Sequence, residues 1–472
     1  MKIFKLLSAV GMAALLVATL GGSAMAYHDG GVARCEGCHT MHNSLKGAVQ
    51  SQKVNSDGTK SPIGTIANAP GSFLLQGSDQ SSTCLNCHQA ADTVVGLKAA
   101  TPLSKNNSYH ISTAGATVAG GAQVPVELTP GGDFAWLRYA FSWTLPRNGS
   151  SAKQTHGHNI VASDYGYAVD PDRATAPGST LAYPSNKLYC ISCHDPHGKY
   201  RIVDASGTVA GGTNVATPLP TDGSGSYGTS ALNGGAAPTA TTAVGVYRLL
   251  AGKGYEPMSM ENGGTTYAFN ANAPVAVSPS NYNHSEQTNP VRVAYGSGMS
   301  EWCANCHDQF LNSADAGVNH RHPAGAGAKF TAAIADNYNK YVSTGSLGAN
   351  STNSYNSIVP FETGDGYTNI ATLNGQASID GSQMGGPSTS NNVMCLSCHR
   401  AHASGFDSMM RWNNSYQYLM GDNNSAWPNT GDAEGIANGR TSAELQVAYY
   451  DRLPGVFSPY QRSLCNKCHI KD

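Results

Sequence analysis

Cys35-Glu-Gly-Cys38-His39, Cys84-Leu-Asn-Cys87-His88, Cys190-Ile-Ser-Cys193-His194, Cys303-Ala-Asn-Cys306-His307, Cys395-Leu-Ser-Cys398-His399 and Cys465-Asn-Lys-Cys468-His469 decide how this chain is built. Together they use all 12 cysteines, with none left over. C-x-x-C-H attaches haem c. Two thiols three positions apart reach two vinyl groups on one porphyrin edge and form thioethers, and the adjacent histidine falls under the ring and coordinates iron. A disulfide framework would not place a histidine after every second cysteine. Zinc ribbons do not require that histidine, and a redox dithiol needs one motif rather than six. The sequence therefore predicts six covalent haem c groups, with those cysteines as attachment points and His39, His88, His194, His307, His399 and His469 as proximal iron ligands.

Ten of the 16 histidines remain: His28, His42, His110, His156, His158, His197, His284, His320, His322 and His402. Six irons need at most six distal ligands, so the supply can close every iron with a second imidazole. A closed iron changes oxidation state with little rearrangement and offers no substrate position. His42, His197 and His402 each follow a proximal histidine by three residues. Positions i and i+3 lie on one side of a helical turn. The second histidine therefore cannot cross to the far face of the haem its neighbour holds, and it is expected to reach another haem. The pattern marks motifs one, three and five and is absent from two, four and six, which suggests repeated haem pairs. His110, His158 and His322 are the further distal candidates, and His28 stays open. His156, His284 and His320 are expected to be solvated. No methionine is placed to single it out as a ligand.

Lys2 and Lys5, the apolar run Leu6–Leu20 and the small residues Ala24 and Ala26 read as a secretory signal peptide over residues 1–26. The mature chain is then expected to be residues 27–472, one hexahaem domain outside the cytoplasm. Its 26 basic and 30 acidic residues give a net charge of −4 with neutral histidine. No Lys/Arg run points to nucleic acid, and no later segment approaches the ~18 apolar residues of a membrane span.

The first cysteines of successive motifs lie 49, 106, 113, 92 and 70 residues apart. The intervening chain is rich in Gly, Ser, Thr, Asn and Pro, most strongly over residues 205–245, and such composition favours turns over ordinary apolar cores. The expected fold is mostly irregular coil with a few short α-helices wrapped around a chain of six haems, and little β-sheet. Thr441-Ser-Ala-Glu444 is a capping-box pattern opening a helix that Pro454 ends, and Phe330, Ile334, Tyr338 and Val342 form a helical stripe ended by Gly345.

Gly31-Val-Ala-Arg-Cys-Glu-Gly-Cys-His-Thr-Met-His-Asn-Ser44, Thr129-Pro-Gly-Gly-Asp-Phe134, Cys193-His-Asp-Pro-His-Gly-Lys-Tyr200, Met299-Ser-Glu-Trp-Cys-Ala-Asn-Cys-His307 and Cys395-Leu-Ser-Cys-His-Arg-Ala-His-Ala-Ser-Gly-Phe-Asp407 resemble the OmcS-type hexahaem outer-surface c-type cytochromes of iron-reducing bacteria. So does the ending from Pro459 to His469, and the resemblance spans essentially the whole mature chain. It implies that all six irons are bis-histidine. It also implies head-to-tail extracellular filaments, with His42 ligating the haem at Cys395, Cys398 and His399 of a neighbouring subunit. The expected function is non-enzymatic, long-range electron transfer at the cell surface. The partners would be the chain itself, other surface cytochromes, and metal oxides or electrodes. A monomeric periplasmic or secreted shuttle is the alternative. A multihaem reductase would keep one iron open, sometimes on a C-x-x-C-K motif, and none occurs here.

Overall fold

Short helices form where the chain reaches its cysteine motifs, because the two thiols of C-x-x-C must project from one side of a turn. A computed structural model describes residues 38–39, 75–90, 110–113, 124–196, 250–257, 267–274, 276–278, 286, 291–311, 322–364, 373, 375–378 and 380–471. It also describes the short strands 44–45, 48–49, 52–54, 60–62, 201–203, 209–211 and 244–245. The signal segment 1–26 and His28, Cys35, His42, His197, His284 and His320 lie outside the described residues. Helix Gln80–His88 carries the second motif, Met299–Cys303 runs into the fourth and Cys395–Cys398 carries the fifth. Turns of 3-10 helix at Cys190–Ser192 and Leu464–Lys467 carry the third and sixth. The connections are mostly coil and turn.

Local chemistry starts these helices where the sequence says. Asp79 caps Gln80–His88 by accepting from Ser82 N at 2.7 Å. Helix Ser442–Ala448 opens with the full capping box: Glu444 N donates to Thr441 Oγ1 at 3.2 Å and Thr441 N donates to Glu444 Oε2 at 2.7 Å. Such caps contribute about 1 kcal/mol each. Helix Ala332–Lys340 is shorter than its apolar stripe. Phe330 and Tyr338 are buried, but the chain turns extended at Tyr341, which takes the buried place, and Val342 is left 52% exposed. Gly345 serves a later turn at φ +75°.

Among the described residues, five strands of two or three residues form the largest sheet, in the order Val244–Gly245, Ala276–Ser278, Ala294–Gly296, Glu362–Thr363 and Asn391–Asn392. Only the third and fourth run parallel. The sheet is small but well placed. Its third strand leads into Met299–Cys303 and its last into Cys395–Cys398, so it ties motif four to motif five.

Aromatic residues give the chain more of a core than its glycine content suggests. A continuous cluster joins Leu85 of motif two to Leu464 beside motif six through Trp136, Tyr338, Trp427 and Tyr449. Large rings bury much area per residue, and their polar ends find partners. Trp427 stacks on Tyr449 at 4.6 Å, Trp427 Nε1 donates to Arg452 O at 3.0 Å, and Tyr338 Oη donates to Val359 O at 2.7 Å. His156 belongs to this interior, which corrects the expectation that it is solvated. It is fully buried, with Nε2 2.7 Å from Ser151 Oγ and Nδ1 3.1 Å from Trp136 O, and burial pushes its pKa down to about 4.

Candidate haem chain

The described motifs lie next to one another in sequence order. Cys38 is within electrostatic reach of Cys84, and the Cys84 thiol is hydrogen-bonded to that of Cys190. Cys193 is within electrostatic reach of Cys306, Cys303 is hydrogen-bonded to Cys395, and Cys398 is within electrostatic reach of Cys465 and Cys468. Motif one therefore adjoins two, two adjoins three, and so on to six. The sequence holds the motifs, but not this adjacency, which the aromatic cluster and the short sheet create.

Among the described residues, imidazoles face each other in at least three pairs. His158 lies 6.1 Å from His307, His402 lies 6.3 Å from His194, and His322 lies 6.0 Å from His469, between ring centroids. Two imidazoles bonded to one metal ion at about 2 Å on either side have centroids roughly 6 Å apart. Each pair joins a proximal histidine to one of the distal candidates. His402 belongs to motif five by sequence, yet it faces the proximal histidine of motif three. His110 is buried beside motif two, where Ile111 N donates to His88 O at 2.9 Å, and its Nδ1 is 3.4 Å from Glu127 Oε1.

Backbone carbonyls fix which ring nitrogen is available. His158 Nδ1 is 2.7 Å from Ala401 O, His307 Nδ1 is 2.7 Å from Pro177 O, and His399 Nδ1 is 2.7 Å from Ser408 O. A carbonyl can only accept, so each Nδ1 carries the proton and each Nε2 keeps its lone pair for a metal. This is the usual way a protein orients a ligating histidine. Burial pushes the His158 pKa down to about 4 and that of His402 to about 3, which keeps both rings neutral. Among the described residues, no second imidazole faces His399 at this spacing.

His402 has a seat made for it. Thr129-Pro-Gly-Gly-Asp-Phe134 runs alongside, with His402 N donating to Gly131 O at 2.7 Å and the Phe134 ring stacked on the imidazole at 4.6 Å. A side chain at Gly131 would put its Cβ 2.8 Å from His402 Nδ1. Gly132 sits at φ +93°, where a Cβ would lie 1.8 Å from Ala403 O. Asp133 holds the segment by accepting from Thr113 N, Ala135 N and Glu127 N at 2.8–3.1 Å. Sequence reasoning did not find this role. The Pro-Gly-Gly turn was its only signal, and a turn does not say which side chain it receives.

These features fit haem c: paired thiols on helical turns, proximal histidines beside them, and facing imidazoles at the separation one iron requires. No protein-family model matches the chain. The C-type cytochrome OmcS of Geobacter sulfurreducens is 47% identical over 479 residues, covering 100% of both chains. Two cryo-EM or filament structures of that protein also match. One, of OmcS nanowires, aligns at 47% identity and the other, an outer membrane cytochrome S filament, at 45%. Each has a TM-score of 0.73 and covers 94% of this chain and 100% of the other. With facing histidines, adjoining C-x-x-C-H motifs and identity along the full length of both chains, this chain belongs to the OmcS family of c-type cytochromes.

Proposed function

We propose that this protein is the repeating subunit of an extracellular cytochrome filament that conducts electrons through six bis-histidine haem c groups, and that it is not an enzyme. The observation that carries this reading is the unbroken file of adjoining motifs, with imidazoles facing the proximal histidines of motifs three, four and six. Bound haem c supplies a one-electron change at each iron. The chain's own part is to hold six such groups in contact and to keep substrate off the irons. Tunnelling falls off exponentially with distance, so fixed adjacency is what a conduit requires. Insoluble ferric or manganese oxides, electrodes and other surface cytochromes are the acceptors this reading fits.

The ligand pattern supports polymerisation. The histidine three residues after motif five, His402, reaches back two motifs to His194. Applied to His197, which lies outside the described residues, the same step would run from motif three to motif one. Applied to His42, it runs off the front of the chain and lands on motif five of the preceding subunit, at His399. A ligand exchanged in this head-to-tail way makes a heterologous contact that does not close, and such contacts build filaments.

Electron microscopy of the haem-loaded protein at neutral pH tests the proposal directly. Uniform filaments are expected; dispersed particles would move the function to a monomeric carrier. His42→Ala should retain all six haems yet form no filaments, and normal filaments from that variant would sink the inter-subunit ligand. The reduced wild-type protein should take up no stoichiometric carbon monoxide. Clear binding at one haem would instead indicate an open iron and revive an enzymatic reading.

A further inference from the structure

We propose that Ser81 and Ser300 are positioning residues that lock the two haem junctions between motifs two and three and between motifs four and five. This rests on the reading that those motifs carry haem. Ser81 stands three residues before Cys84, and Ser300 three residues before Cys303. Both are fully buried or nearly so. Cys190 N donates to Ser81 Oγ at 3.0 Å, and Cys395 N donates to Ser300 Oγ at 3.0 Å. The two junctions thus use the same bond, at the same offset, between different pairs of motifs.

The geometry follows from helix periodicity. Residues i and i+3 share a helix face, so each serine hydroxyl projects beside the sulfur of the cysteine three positions on. Each receiving cysteine is the first residue of its own turn, where a backbone N–H has no intrahelical acceptor. The serine supplies that acceptor from the neighbouring motif. The junction is therefore held at two adjacent points, sulfur against sulfur and hydroxyl against amide. Once the cysteines become thioethers their S–H donors are gone, and the serine bond is a directional polar link that persists.

The residues around each lock repeat as well. The receiving turns are closed by Ser192 Oγ, which accepts from Tyr189 N at 2.9 Å, and by Ser397 Oγ, which accepts from Met394 N at 3.0 Å. In the motifs that carry the accepting serines the same position is asparagine: Asn86 Oδ1 accepts from Tyr165 Oη at 2.7 Å, and Asn305 Oδ1 accepts from Asn270 N at 2.7 Å. The other four motifs carry Val32, Lys187, Asn392 and Arg462 three residues before the first cysteine. The serine marks only the first member of each of these two junctions.

The test uses the haem-loaded full-length protein. Ser81→Ala, Ser300→Ala, the double variant and the two serine-to-threonine variants are compared by haem content, film voltammetry and Soret circular dichroism, whose bisignate signal reads haem–haem geometry. Each alanine variant should keep six haems and wild-type potentials but lose its junction's share of the bisignate signal. The double variant should lose both shares, and threonine, which retains the hydroxyl, should preserve the signal. An unchanged signal in the double variant, or shifted potentials with an unchanged signal, overturns the proposal. Hydrogen exchange on the wild-type protein gives a check without substitution: the Cys190 and Cys395 amides should be protected, and free exchange at both would overturn it. Fewer than six haems in the wild type would instead fault the haem reading.

Discussion

Replacing His402 with alanine should open the iron at motif three, not the iron at motif five beside which His402 stands in sequence. The imidazole faces His194 at 6.3 Å and is seated against Gly131 and Phe134. The reduced variant should bind about one equivalent of carbon monoxide per chain, and one haem in six should acquire a high-spin signal, because axial ligation sets what an iron can bind. His402→Met should behave differently. A thioether can still close the iron, so that haem should stay low-spin with a raised potential. An alanine variant with an unchanged spectrum would remove His402 from the ligand set. Carbon monoxide bound at the motif-five haem would reverse the assignment and undo the two-motif step on which the His42 argument rests.

The motifs proposed to carry haem are legible because covalent attachment needs a fixed local spacing, and C-x-x-C-H states it in full. The same holds for the Thr441–Glu444 capping box, whose two bonds span three residues. What the sequence could not show was anything decided at long range. The bond from Cys190 N to Ser81 spans 109 positions, and the imidazole pair of His194 and His402 spans more. Ser81 and Ser300 are ordinary residues until the motifs they touch are known. His156 misled for a related reason. Two residues from the better-placed His158, it carries no local sign of burial, which is set by Trp136, Phe141 and Arg440 arriving from elsewhere. Val342 failed the other way: its spacing was helical, but the chain had already left the helix.

The largest effect on stability should come from Glu286→Gln. Glu286 is fully buried, and three buried guanidiniums converge on it. Arg411 Nη1 lies 2.7 Å from its Oε2, Arg400 pairs with the same oxygen, and Arg452 Nη2 donates to its backbone carbonyl at 2.8 Å. Burial alone would raise the carboxyl, but the charges of Arg411 and Arg400 outweigh it and hold its pKa below the usual carboxylate value. Glutamine keeps the shape and removes the buried charge that Arg411 and Arg400 pair with, which should cost about 3–5 kcal/mol. The pH dependence has a definite sign. A depressed carboxylate contributes fully above its unfolded pKa of about 4.3 and loses that contribution as pH falls through the lower folded value. Wild type should therefore lose stability below about pH 4 by a step that the glutamine variant lacks. The damage should also reach the site, because Arg411 N donates to Cys398 O at 2.7 Å and Arg400 follows His399 directly. Urea unfolding of both haem-loaded proteins at pH 7 and in acid checks this. A glutamine variant within about 1 kcal/mol of wild type at pH 7 would mean that the three arginines find their counter-charge elsewhere.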